Sequence, residues 1–213
     1  MSKYITLLKT INYIDYDKRY KYIRNYLKIH KKQFKCIPKK KEIDNNIMLF
    51  FGDSKTVIFI DYKNDVGIIC GFFLLEKIQK GIIIFVNEDE INNEHFGKIP
   101  SFIYEKYKIN QLLFLNKIPI SKNICLKKGP IIQINNNTPP CKNFLDKLHK
   151  IIEKSKIKVQ YSVRKSHNKN FKIFYSPYFF DTFFMGIPYK DITYNADDIH
   201  SFFMLSYYCL LYL

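Results

Sequence analysis

The sequence has no tryptophan, one alanine, seven glycines and only three arginines, Arg19, Arg24 and Arg164. Each scarcity excludes something. There is no Gly/Ser/Pro linker and no internal repeat, so nothing divides the 213 residues into independent units, and the length suits one domain with a sizeable core. The five cysteines (Cys36, Cys70, Cys125, Cys141, Cys209) are odd in number and widely spaced, without a CxxC or Cys/His pairing. That excludes a zinc knuckle and predicts reduced core thiols in a cytoplasmic protein. The N-terminus "MSKYITLLKT" lacks the apolar run of a signal peptide, and "SFFMLSYYCLLYL" is too short to span a bilayer, so no membrane partner is expected.

Carboxylates are also scarce: 35 Lys+Arg against 19 Asp+Glu gives a formal charge of +16. Such a balance raises a polyanion partner. With so few arginines, the bidentate fork favoured for phosphate and base recognition is nearly missing. Abundant Ile, Asn, Lys, Tyr and Phe at the expense of Ala, Gly, Arg and Trp is the pattern of AT-rich codons. Nucleic acid is therefore not the expected partner. The run "KCIPKKKE" and the stretch "KIHKKQFK", with Tyr20, Tyr22 and Tyr26 nearby, reads as a solvated face whose tyrosines pack inward rather than as a stacking platform.

What is abundant is periodic apolar sequence. "KYITLLKTI" and "DYDKRYKYIRNYLKIHKKQF" have helical spacing, with Asp15 or Asp17 placed to cap the second. "NIMLFFG", "TVIFID", "GIIIFV", "QLLFLN" and "IKVQYSV" read as strands, and "NICLKKGPIIQI" as one strand or two. "VGIICGFFLLEKIQK" is long enough for a buried helix, "PSFIYEKYK" for a short one, and "CKNFLDKLHKIIEKS" is amphipathic. A last helix begins near "NADDIHSFF", capped by Asn195. Strand and helix in turn predict an α/β three-layer sandwich with a mostly parallel central sheet and helices on both faces. In such folds sites lie beyond the C-terminal ends of the strands.

At that address, after the buried strand "GIIIFV", stand Asn87, Glu88, Asp89 and Glu90. Adjacent carboxylates in a basic chain suit divided labour, one ligating a divalent cation and one acting as general base.

The order of segments resembles the M20-type zinc deacylases and peptidases, the group of acetylornithine deacetylase, succinyl-diaminopimelate desuccinylase and N-acetyl-lysine deacetylase. "NEDEINNEHFG" is similar to that family's acidic run, which implies Asp89 as general base and Glu90 as metal ligand, or Glu88 and Asp89 if the register slips by one. "IDYKNDVGIICG" is similar to its D-x-K-G segment, which implies Asp61 as the metal-bridging residue, with Asp65 the alternative. In "LLFLNKIPISKNICLKKGPI", Asn116 or Lys117 falls where the family has a carboxylate ligand. "VRKSHNKNF" resembles the substrate segment, with Arg164 and Lys165 kept and His167 a further contact. In "MGIPYKDITYNADDI", Thr193 occupies the family's last histidine position. The family's H-x-D motif is either deleted with its loop or has Tyr62 and Asn64 in its place, and its lid and dimerisation domain is missing near residues 131–140.

The resemblance implies one zinc-exopeptidase-like domain over 1–213. Its activity would be hydrolysis of an N-acyl amino-acid intermediate with zinc, or another divalent metal such as Mn or Co. As oligomer it would be a monomer, or a dimer through a surface other than the lid. The ligand tally is short of the four or five donors a two-zinc site needs, and both histidines are replaced. The alternatives are a pseudoenzyme serving as a binding or assembly subunit, or a basic nucleic-acid-binding protein. Of the histidines, His95 and His167 are best placed to enter the crevice, while His30, His149 and His200 read as surface or helix residues.

Overall fold

The computed structural model describes residues 1–43, 45–52, 56–86, 98–109, 111–135, 140–164, 180–191 and 193–213. The chain opens with helices α1 (Ser2–Asn12) and α2 (Tyr16–Ile29) and a short 3-10 turn at Lys31–Gln33. Then follow β1 (Lys39–Ile43), β2 (Asn46–Phe51), β3 (Thr56–Asp61), α3 (Asp65–Leu75), β4 (Gly81–Val86), α4 (Lys98–Tyr107), β5 (Gln111–Pro119) and β6 (Ile131–Asn135). The remainder is α5 (Lys142–Ser155), β7 (Gln160–Arg164), β8 (Asp181–Lys190), β9 (Thr193–Tyr194) and α6 (Ala196–Tyr212).

The nine strands form one mixed sheet in the order β1-β2-β4-β3-β5-β8-β6-β7, with β9 beside β8. Its centre, β4-β3-β5-β8, is parallel. β1 and β2 run antiparallel on one side, and β6 pairs antiparallel with β8 on the other. The α/β architecture with a mostly parallel central sheet is therefore present, and the antiparallel pairings are what the sequence left unspecified. A strand buried on both faces has the same continuous apolar signature in either direction. "GIIIFV" shows this: all six residues of β4 are buried, Ile83 and Phe85 in one core layer and Ile82, Ile84 and Val86 in the other.

The two faces are covered unequally. Side chains of α1, α2, α3, α5 and α6 pack with one face, whereas among the described helices only α4, through Ile99 and Ile103, packs on the other. All eleven residues of α3 are buried, between the sheet and helices α1 and α6, so its sequence has no polar stripe to reveal. Three strands escaped the sequence reading, the two-residue β9 among them. β1 is an edge strand built from "KKKEI", whose lysines keep the edge from pairing with another chain. β8 lies in the interior of the sheet inside "DTFFMGIPYK". "NICLKKGPIIQI" contributes only β6, its first half being turns around a Ser121–Ile124 bridge.

Other local expectations divide. Asn195 caps α6, its side chain accepting from the N–H of Asp197 and Asp198 at 3.0 and 3.2 Å. Asp15 precedes α2 without capping it and pairs with Lys18 at 2.8 Å. Tyr26 is buried and stacks on Phe72 at 3.7 Å, and Tyr20 and Tyr22 pack against Tyr62 and Phe72. Tyr26 is thus a core group, and Tyr20 and Tyr22 pack inward against the core, while Tyr16 of the same helix is exposed. Cys70 and Cys209 are buried as expected, but Cys125 and Cys141 are exposed; all five cysteines are free thiols. No helix of the described residues is long and apolar enough to cross a membrane.

At the C-terminal end of α3, the Glu76 carboxylate gathers Lys3 Nζ at 2.5 Å, the Tyr4 hydroxyl at 2.7 Å and the Tyr26 hydroxyl at 3.4 Å. Burial, reinforced by this carboxylate, pushes both phenols above their ordinary pKa of 10.0. The folded state then holds protons that the unfolded chain releases. The stabilisation is complete below pH 10 and is lost as pH rises beyond it. A urea midpoint that is level from pH 7 to 9 and falls above pH 10 is the expected result, with the fall reduced in Tyr4→Phe.

Candidate functional site

The parallel strands β3, β4, β5 and β8 all run out at one edge of the sheet, and the loops after β3 and β5 build the described part of a site there. β3 ends on Asp61, which pairs in register with Val86, the last residue of β4. Asp61 Oδ1 accepts the Lys63 N–H at 2.9 Å, an Asx turn that bends the chain sharply out of the strand. Asn64 then caps α3. Its Oδ1 accepts the Gly67 N–H at 3.0 Å, while its Nδ2 donates to the Leu115 carbonyl of β5 at 2.8 Å. One side chain thus satisfies a helix terminus and ties the loop to the neighbouring strand.

Asp65, the first residue of α3, is buried, and both of its named partners come from distant segments. Its Oδ1 accepts from the Tyr194 hydroxyl of β9 at 2.9 Å and lies 3.3 Å from Lys117 Nζ of β5. Burial first, then the Asp65 charge and hydrogen bond, push the Tyr194 phenol well above its ordinary range, so it stays a proton donor throughout the neutral region. Arg19 completes the surroundings. Its guanidinium is buried and donates to the carbonyls of Tyr62, Ile14 and Ile11 at 2.8, 3.2 and 3.3 Å. Burial lowers its pKa, and Asp65 followed by Asp61 opposes that electrostatically.

Beside Asp65, then, stand a lysine ammonium, a tyrosine hydroxyl and an arginine charge. That is the chemistry of a satisfied buried carboxylate, and a divalent cation at this oxygen would meet Lys117 and Arg19 as repelling neighbours. Among the described residues no three His, Cys, Asp or Glu side chains converge as metal donors. Asp61 alone is too few for zinc. Glu88, Asp89, Glu90, Lys165 and His167 lie outside the described residues, as do His95 and the side chain of Arg164. Thr193, at the resemblance's histidine position, donates to the Lys190 carbonyl at 2.5 Å. His149 and His200 are exposed, and His30 is half-buried against the Tyr26 ring at 4.2 Å.

Sequence reasoning did not single out Arg19 or Tyr194 for this cluster, and it placed Asn64 only as a replacement within the resembled motifs. Arg19 carried a signal, being one of three arginines in a chain that otherwise uses lysine. Tyr194 had none, since 129 residues separate it from Asp65.

No protein-family model matches the chain, and no curated protein matches its sequence. Solved structures do match, and they show the fold. A TET1 peptidase from Pyrococcus horikoshii superposes with a TM-score of 0.71 over 97% of this chain and 99% of its own, at 11% identity. An aminopeptidase from the archaeon Desulfurococcus kamchatkensis gives 0.72 over 98% and 94%, also at 11% identity. An M18-family aminopeptidase from Thermotoga maritima gives 0.51 over 84% of this chain and 49% of its own, at 11% identity. At such identity the likeness is one of fold. The three matched structures are peptidases, and none of them is an M20 deacylase.

Proposed function

We propose that the chain is a metallopeptidase-like hydrolase of amide bonds, acting on the acylated amino group of an N-acyl amino acid of the acetyl-lysine, acetylornithine or succinyl-diaminopimelate kind. The observation that carries this reading is the chain-wide likeness to aminopeptidase folds at a site where Asp61 ends a central parallel strand. The acidic run Glu88-Asp89-Glu90 follows the neighbouring strand β4 in sequence. In this reading Asp61, rather than Asp65, joins Glu90 in holding a divalent metal, because Asp65 is already engaged by Tyr194 and Lys117. Asp89 or Glu88 would take a proton from water, and Arg164, Lys165 and His167 would bind the substrate carboxylate.

Protein purified without chelator should carry transition metal near stoichiometry and hydrolyse N-acetyl-lysine or N-acetylornithine. Asp61→Asn should lower kcat/KM by about a hundredfold or more, in line with loss of a centre that stabilises charge in the transition state. Less than about a tenth of an equivalent of metal, together with no hydrolysis of these substrates or of aminoacyl anilides, would sink the proposal.

A second reading is favoured by one specific feature. The Lys117 ammonium beside Asp65 puts a fixed internal cation next to a carboxylate of the strand-end cluster, as expected of a pseudoenzyme that keeps the sandwich for binding or assembly. The same metal and activity measurements separate the two.

A further inference from the structure

The opposite end of the sheet, where β4 and β5 begin, carries three neighbouring cavities. The largest, about 1180 Å³, lies among Lys39, Lys80, Lys106, Lys108 and Lys147 and the C-terminal turn of α6. A second, about 460 Å³, lies under α2 and shares Ile37 with the first. A third, about 520 Å³, lies between α5 and α6 and shares Lys147 and Tyr212 with it. We take these adjoining cavities together as one trough.

Its charge is one-sided. Four cations line the second cavity, five the largest and two more the third, eleven in all, and no Asp or Glu is among the described lining residues. If side-chain charges fell at random in the chain's ratio of 35 to 19, eleven cations without one anion would arise in roughly one case in a hundred. Composition alone therefore does not account for the trough. Of the eleven, Arg24 and Lys40 share Glu42, and the other nine have no ion-pair partner among the described residues. Aromatic rings line the same path. Tyr107 and Tyr212 are exposed, and Tyr212 stacks on Tyr208 at 6.3 Å.

We infer that this trough is a binding groove for single-stranded nucleic acid, separate from the strand-end site and independent of the hydrolase reading. A flexible polyanion follows a concave path, whereas a bilayer is met by protruding apolar residues. Lysines supply point charges for phosphates without the bidentate geometry that reads bases, and tyrosine faces stack on any base. Recognition is therefore independent of sequence.

The test is fluorescence anisotropy of the full chain with labelled 20-nucleotide oligo(dT) and oligo(U) between 50 and 200 mM salt. Each neutralised phosphate of a single strand contributes about −0.7 to the log–log slope, so a slope steeper than about −2 is expected. Lys106→Glu, Lys108→Glu and Lys147→Glu together should flatten that slope by about 2 units. A control triple of exposed lysines outside the trough, Lys9→Glu, Lys21→Glu and Lys122→Glu, changes net charge equally and should alter affinity less than about threefold. Tyr212→Ala should weaken binding about fivefold or more. Circular dichroism checks that the variants fold. Equal losses in the two triples, absence of oligonucleotide binding at 50 mM salt, or binding only to phosphatidylserine vesicles would each overturn the inference.

Discussion

Gly129→Ala is expected to destabilise the protein by more than about 4 kcal/mol, enough to threaten folding of a domain whose total stability is of order 5–15 kcal/mol. Gly129 has φ +86°, and a Cβ there would stand 1.8 Å from the backbone carbonyl oxygen of Lys158. Backbone cannot swing aside as a side chain can. The surroundings are also clamped: Asp198 accepts the Lys127 and Gly129 N–H groups at 2.7 and 2.8 Å, and Gln160 donates to the Gly129 carbonyl at 2.9 Å. Moving the loop would break the bonds that satisfy a buried carboxylate at the start of α6. Gly52→Ala is the control. Its φ of +48° is also left-handed, but the nearest atom to an added Cβ is the Gln79 oxygen at 3.4 Å, so only the conformational cost of about 1–2 kcal/mol applies. Denaturant midpoints of the two variants should differ widely, and equal shifts would refute the steric account.

Arg19→Ala is expected to cost about 3–5 kcal/mol. The guanidinium sits where the α1–α2 corner meets the loop after β3, donating to carbonyls of Ile11, Ile14 and Tyr62. Its removal leaves those acceptors without this donor and takes away a cation that faces Asp65 and Asp61. Arg19→Lys separates the two contributions. It keeps the charge but not the planar fork that reaches three carbonyls, so it should recover only part of the loss. Full recovery in the lysine variant would mean that charge alone matters, and a loss below about 1 kcal/mol in the alanine variant would show that the corner holds without the arginine.

Much of the scaffold was legible because its causes are local. Continuous Ile, Phe and Val in "TVIFID" and "GIIIFV" need burial on both sides, and Asn195 before Ala196 supplies a cap within its own segment. The sites were legible only in part. Asp61 at a strand end could be read from the pattern, but the partners of Asp65 could not. Lys117 belongs to β5 and Tyr194 to β9, and neither carries a periodic or motif signal.

By itself, then, the sequence determined the α/β class, the identity of the central strands β3, β4 and β5 and of the helices, and an acidic address beyond β3 and β4, because propensity, capping and apolar patterning act over a few neighbouring residues. The tertiary structure alone decided the antiparallel edges, the closure of Lys117, Tyr194 and Arg19 around Asp65, and the gathering of lysines from α2, β1, α4 and α5 into one trough. Those outcomes depend on which strands pair and which helix ends meet, and such pairings are settled by burial of the whole chain rather than by any stretch of it.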